Sequence, residues 1–329
     1  MYSEEDIASA IKAGALTEEA ALSFRAHVAQ LRQTPAVDEE HFRLVTGFND
    51  IFVVIACVLL LISVNWIGAA LAPWFGALAS AIVSWALAEF FTRKRHMALP
   101  SIVLLLAFVG SVFFANYIGF GESSGVVFAS ALAALAAWLH WRRFRVPITV
   151  AAGATAALGS MVALLLTVLP EAKNFISIIS FVAGTALFGL AMYWDSADTL
   201  RQTRKSDVAF WLHLQAAPLL VHPVFTALNI FDGQTHWGQA LAVITLYVVI
   251  ALISLAIDRR ALMVSALIYV LYAFSSLLKV YGVVSLGFAI TAFAIGSALL
   301  LLSAFWHPCR KFALSIFPPA IQARLAPIR

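Results

Sequence analysis

Chemistry in this chain concentrates in one stretch, Trp211 to Asn229, where two histidines, a glutamine, an asparagine and two prolines interrupt an apolar run, WLHLQAAPLLVHPVFTALN. At about 100° per residue, Gln215, Pro218, His222, Thr226 and Asn229 fall within about 60° of one another, a polar stripe on one helix face. An imidazole titrates near neutrality, and amides and hydroxyls offer hydrogen bonds, so the stripe suits the passage of a proton or a small polar solute. Pro218 and Pro223 free the carbonyls of Leu214 and Leu219, which in hydrocarbon require a substitute donor. Two readings stay open: a path lined by Gln215, His222, Thr226 and Asn229, or a seam in which a kinked helix bonds to its neighbours. His213 lies on the opposite side, roughly 13 Å along the axis from His222, so the two cannot share a metal ion as neighbours on one helix.

Other candidates are secondary. Glu89 precedes Arg93 by one helical turn, the spacing of an ion pair, and is alternatively a proton carrier. Asp50 suits the positive end of a helix dipole. Tyr269, Tyr272, Ser276 and Lys279 form a second stripe, with Lys279 snorkelling to an interface or drawing anions to a vestibule. Gly76, Ser80 and Ser84, and likewise Gly153, Ala157 and Ser160, have the spacing of close helix packing. Gly121-Glu-Ser-Ser-Gly125, with Asp232 and His236 downstream, matches GxSxG, but a nucleophile elbow needs a strand-to-helix turn. That makes an outer-face serine hydrolase built on Ser123 the least favoured function. No phosphate loop, HExxH or dinucleotide fingerprint occurs, and Cys57 and Cys309 form no CxxC, so no metal, cofactor or disulfide framework is expected.

Positioning these residues is the task of a membrane bundle. The 329 residues are 62% hydrophobic and 12% charged, with a mean hydropathy of +0.93, outside the range of soluble domains. A bilayer core of roughly 30 Å needs about 20 apolar residues per helix. Ten windows qualify: 48 to 65, 69 to 91, 99 to 118, 124 to 141, 147 to 169, 174 to 194, 208 to 230, 237 to 257, 261 to 279 and 283 to 306. With ten spans, all of the 21 cations except Lys173 and Lys279 fall on one side, which places both termini in the cytoplasm. The short basic loops read as orientation signals and exclude a nucleic-acid surface.

The expected fold is therefore all-α: a cytoplasmic helical hairpin over residues 1–47, a ten-helix bundle over 48–306 and a basic cytoplasmic tail over 307–329. In the first segment SEED at Ser3 to Asp6 fits a capping box, Gly14 ends one helix and Thr17 caps the next. The start, MYSEEDIASA, lacks a basic n-region and an apolar h-region, so the first span is expected to direct insertion.

AIKAGALTEEAALSFRAHV followed by RLVTGFNDIFVVIACVLLL resembles the opening of a family of uncharacterised bacterial membrane proteins, in which a short helical pair precedes many spans. The resemblance covers about the first 60 residues and implies a bacterial inner-membrane location and no activity. Ten spans also resemble the drug and metabolite transporter architecture, although the two halves share no motif. The expected function is a non-enzymatic bundle moving a small solute or protons; the alternative is a scaffold or sensor whose hairpin holds a cytoplasmic protein partner. The lipid bilayer is the expected surround, and nucleic acid is not a partner.

Overall fold

The computed structural model describes residues 4–32, 48–120, 122–199, 201, 203–228, 237–280, 293, 295–298, 302, 305–318, 322 and 325–326. All regular structure among them is helical. The chain divides into two compact units, Met1–His41 and Phe42–Ile328. The first holds α1 (Glu4–Lys12) and α2 (Glu18–Arg32), separated by Gly14 in a left-handed conformation, φ 72°. Thr17 caps α2: its hydroxyl oxygen accepts from the Ala20 amide at 3.2 Å.

The second unit contains α3 (Phe48–Ala69), α4 (Pro73–Phe91), α5 (Ala98–Phe120), α6 (Glu122–Phe144), α7 (Ile148–Val168), a 3₁₀ turn (Pro170–Phe175), α8 (Ile176–Ser196), α9 (Arg204–Ala227), α10 (Trp237–Ile257), α11 (Ala261–Val280) and α12 (Trp306–Ser315). Seven helices, α3 to α9, are long and apolar enough to cross a membrane, as a multi-pass integral membrane protein requires. α10 and α11 are apolar but qualify only over the shorter stretches Leu241–Ile257 and Ala261–Ser275. The expected tenth span, 283 to 306, lies largely outside the described residues.

A repeated hairpin organises the second unit. α4 with α5, α6 with α7, α8 with α9, and α10 with α11 each pack together. Their connections each hold one non-glycine residue in the left-handed region: His96, Arg145, Arg201 and Asp258, with φ from 52° to 58°. Such a residue reverses the chain tightly at a helix end, where glycine usually serves. In three of these turns the residue after it is described, and there it is buried. Met97 and Val146 are 8% exposed, apolar anchors of their turns, but the same place after Asp258 holds Arg259, 2% exposed.

α9 is the most enclosed of the candidate spans and packs against α7, α8 and α11. Trp211 on α9 reaches the aliphatic cluster of Leu105, Val109 and Ala137 from α5 and α6, which joins the early hairpins to the later ones. Small residues set the close approaches. Gly76, Ser80 and Ser84 are all buried on α4, and a Cβ on Gly68 of α3 would stand 2.7 Å from the Gly76 Cα. Ser160 on α7 donates to the Val127 carbonyl of α6 at 3.1 Å and Gly153 faces Ala137, whereas Ala157 is exposed.

Gly184 of α8 meets the α9 backbone at Leu219 and Leu220, where an added Cβ would stand 2.9 Å from backbone atoms that cannot swing aside. Gly184→Val is accordingly expected to destabilise the bundle by about 1–3 kcal/mol, read as a lower melting temperature in detergent. An unchanged melt would exclude this close packing.

Candidate functional site

One residue from each of the two stripes expected from sequence meets the other. His222 on α9 is exposed along the side that faces α11, and its Nδ1 lies 2.8 Å from the Tyr269 Oη. Tyr269 is held there by stacking on Phe225, with ring centroids 4.8 Å apart. Thr226 turns back on its own helix and donates to the His222 carbonyl at 2.8 Å. Gln215, two turns from His222 on the same face, is partly buried, and its Oε1 is enclosed without a hydrogen-bond partner. Asn229 and the side chains of Ser276 and Lys279 lie outside the described residues. Tyr272 is exposed.

The freed carbonyl at Leu219 has a donor. Ser180 on α8 directs its hydroxyl to that oxygen at 3.4 Å, one turn from Gly184. The serine supplies what Pro223 removes, and the glycine lets it come close enough. This junction is a packing seam between α8 and α9, on a different side from the His222 contact with α11.

On the opposite side of α9 a second polar cluster appears, around His213. Its side chain is fully enclosed, edge-on to the Phe188 ring at 5.2 Å, and neither ring nitrogen has a hydrogen-bond partner. Nε2 lies 3.6 Å from Oδ2 of Asp195, in the last turn of α8. Arg259 holds the same carboxylate through Nη2 to Oδ1 at 2.7 Å and Nε to Oδ2 at 3.3 Å. Its Nη2 also donates to the Ser206 Oγ and carbonyl of α9, at 3.0 and 3.2 Å. One guanidinium thus joins α8, α9 and the turn before α11.

An adjoining pair extends the network. Arg201 Nη1 binds Asp258 Oδ2 at 2.9 Å, and Asp258 Oδ1 accepts from Trp306 Nε1 at 2.8 Å, with Arg310 Nε 3.4 Å away. Arg260 lies over the Trp306 ring at 4.5 Å. Burial and then the neighbouring Arg259 draw the Arg201 guanidinium below its ordinary value, while Asp258 and Asp195 oppose them. Desolvated ions of this kind persist only where partners replace water, so removing one partner costs far more than removing both.

Glu89 ends in a different arrangement. It accepts from Arg93 Nη1 at 3.2 Å, the expected helical pair, and from Arg143 of α6 through Nε at 2.7 Å and Nη2 at 3.1 Å. This exposed fork ties α4 to α6. Asp50 sits buried in the first turn of α3. Ser123 belongs to the first turn of α6, between two helices, so the strand that a nucleophile elbow needs has no counterpart there; Gly121, Asp232 and His236 lie outside the described residues. A cavity of about 830 Å³ opens between α3, α4 and α5 among Leu61, Asn65, Trp66, Ser80 and Phe114, remote in sequence from both polar clusters. Among the described residues no three His, Cys, Asp or Glu side chains converge as for a metal ion.

Helical spacing points to His213 but not to Asp195, Ser206, Arg259 or Asp258, because the cations of short loops between spans read as orientation signals. The available signal was an acid beside those bases at two span ends, Asp195 and Asp258. Compared with known protein families, curated proteins and solved structures, the chain matches none.

Arg259→Met alone strands the Asp195 carboxylate and is expected to cost about 3–5 kcal/mol. Asp195→Asn with Arg259→Met places an apolar anchor where Met97 stands in the first turn, and is expected to recover most of that loss. Thermal melts of both single variants and the double variant measure the coupling; additive losses would show that the pair is not coupled.

Proposed function

We propose that this chain is a bacterial inner-membrane bundle of ten spans, with both termini in the cytoplasm, that passes protons or a small polar solute along α9. The observation that supports the reading best is the contact between His222 and Tyr269. An ionisable side chain within a candidate span is met by a hydroxyl from another helix, and intramembrane ionisable groups mark function by default. Gln215, with an enclosed acceptor awaiting a donor, continues the same face roughly 10 Å further along. The path therefore offers an imidazole and an amide acceptor, and the Tyr269 hydroxyl can either donate to or accept from an imidazole nitrogen.

Single cysteines at 215, 222 and 229, in a background lacking Cys57 and Cys309, test the path with a membrane-impermeant thiol reagent. Labelling at 215 and 222 that changes with pH or added solute is expected. Reaction at 229 alone would mean a sealed seam. In proteoliposomes His222→Ala is expected to abolish flux with membrane expression intact, and retained flux would reject the assignment.

A second reading has its own support, since Met1–His41 forms a separate compact unit. There the hairpin binds a cytoplasmic protein and the bundle serves as scaffold or sensor. Deletion of residues 1–40 separates the two: it leaves flux intact in the first and removes the cellular phenotype in the second.

A further inference from the structure

The hairpin repeat makes Arg259 anomalous. In the turns after His96 and Arg145, the residue that follows the left-handed one is an apolar anchor, Met97 or Val146. After Asp258 that place holds a guanidinium, more deeply buried than either anchor. An apolar side chain is the less costly way to fill such a position, since a charge must first be stripped of water. Arg259 requires Asp195 and Ser206 merely to be tolerated there, and packing alone gives no reason for the exchange.

His213 supplies a reason. Arg259 Nε and His213 Nε2 approach the same oxygen, Asp195 Oδ2, at 3.3 and 3.6 Å. The guanidinium is within hydrogen-bond distance and the imidazole is just outside it. A proton on His213 turns Nε2 into a charged donor facing a carboxylate, and a movement of well under 1 Å closes that bond. Oδ2 is then contested, and the added positive charge repels Arg259, whose remaining hold on Asp195 is the Nη2 to Oδ1 bond. The clasp between α8 and the turn before α11 weakens.

We propose that Asp195, His213 and Arg259 form a proton-binding site at the arginine-rich end of α9, in which protonation of His213 loosens the clasp and opens that end of the helix. The proposal deepens the transport reading and rests on it for its purpose, since a site loosened by a proton is a means of coupling proton uptake to access. Other charged groups near the cluster are Arg201 and Asp258 from the flanking turns and Arg310 from α12. Phe188 covers the imidazole from α8; α7, which also packs on α9, carries no ionisable residue in its sequence, and α11, which carries Tyr269, Tyr272 and Lys279, meets α9 through Tyr269 at His222, nine residues from His213.

The experiment uses the full chain in lipid nanodiscs, with cysteine at position 209, a fully buried alanine one turn from His213, and Cys57 and Cys309 replaced by serine. Thiol labelling is followed from about pH 8 to about pH 4.5, a window extended downwards because burial disfavours the charged form of an imidazole. Thiolate chemistry by itself slows labelling as pH falls, so each rate is divided by that of the same protein carrying His213→Gln at the same pH. The expected result is a ratio near one at high pH that rises about tenfold at low pH, the equivalent of about 1.4 kcal/mol of clasp lost. Asp195→Asn with Arg259→Met, which has no clasp to loosen and keeps an apolar anchor, is expected to hold the ratio constant with pH. A flat ratio in the otherwise native protein would overturn the proposal, as would an equal rise in the double variant. Labelling at 209 requires no flux, so a pH-dependent ratio alongside a sealed path at 215 and 222 would retain the proton site and remove the transport reading.

Discussion

Hydrocarbon offers a peptide group no hydrogen bonds, and that constraint governs every element of the bundle. Helices satisfy it internally, which is why α3 to α9 are long and unbroken by strand or loop. α9 breaks the rule twice within its own length, at Pro218 and Pro223, and is also the span most enclosed by its neighbours. At Leu219 the compensation is visible: Ser180 donates to the carbonyl and Gly184 removes the side chain that would hold α8 away. A helix with weakened internal bonding is thus supported from outside by its partner in the same hairpin.

The same economy of water shapes the charged end. Four connections reverse the chain through a left-handed residue, and two of them seal the turn with Met97 or Val146. The turn at Asp258 seals with an ion instead. Arg259 is compatible with burial only because Asp195 arrives from α8 and Ser206 from α9. The ion pair therefore makes the packing of three elements interdependent, in a way that an apolar anchor does not. Its sensitivity to the neighbouring imidazole follows from the low dielectric surroundings, where one added charge acts with little screening.

The polar groups of α9 thereby divide into two faces with different partners. Towards α11, the exposed His222 meets Tyr269, while Gln215 is partly buried two turns away along the same helix. Towards α8 and the charged turns, His213 is enclosed against Phe188 and Asp195. Nine residues separate the histidines, a half-turn difference in direction, so a single helix presents one imidazole to each environment. Movement of α9 relative to α8 would be felt at both.

By itself the sequence determined what depends on local composition and helical periodicity. Apolar runs bounded by cations announced the seven spans α3 to α9, since length and hydropathy are properties of each segment alone. The stripes on α9 and α11, the opposite placement of His213 and His222, the small-residue face of α4 and the Glu89–Arg93 pair all follow from 100° per residue. What it left open required knowing which helices are neighbours. That Ser180 would serve the Leu219 carbonyl, that Arg143 would reach Glu89 across 54 positions, and that Ala157 would stay exposed are facts of packing. The Asp195, His213 and Arg259 cluster was hidden for the same reason. Its members lie on three segments up to 64 residues apart, and a loop arginine that orients a span has the same composition as one buried against a carboxylate. Only the tertiary structure, by placing the turn after α10 over the ends of α8 and α9, decided which it is.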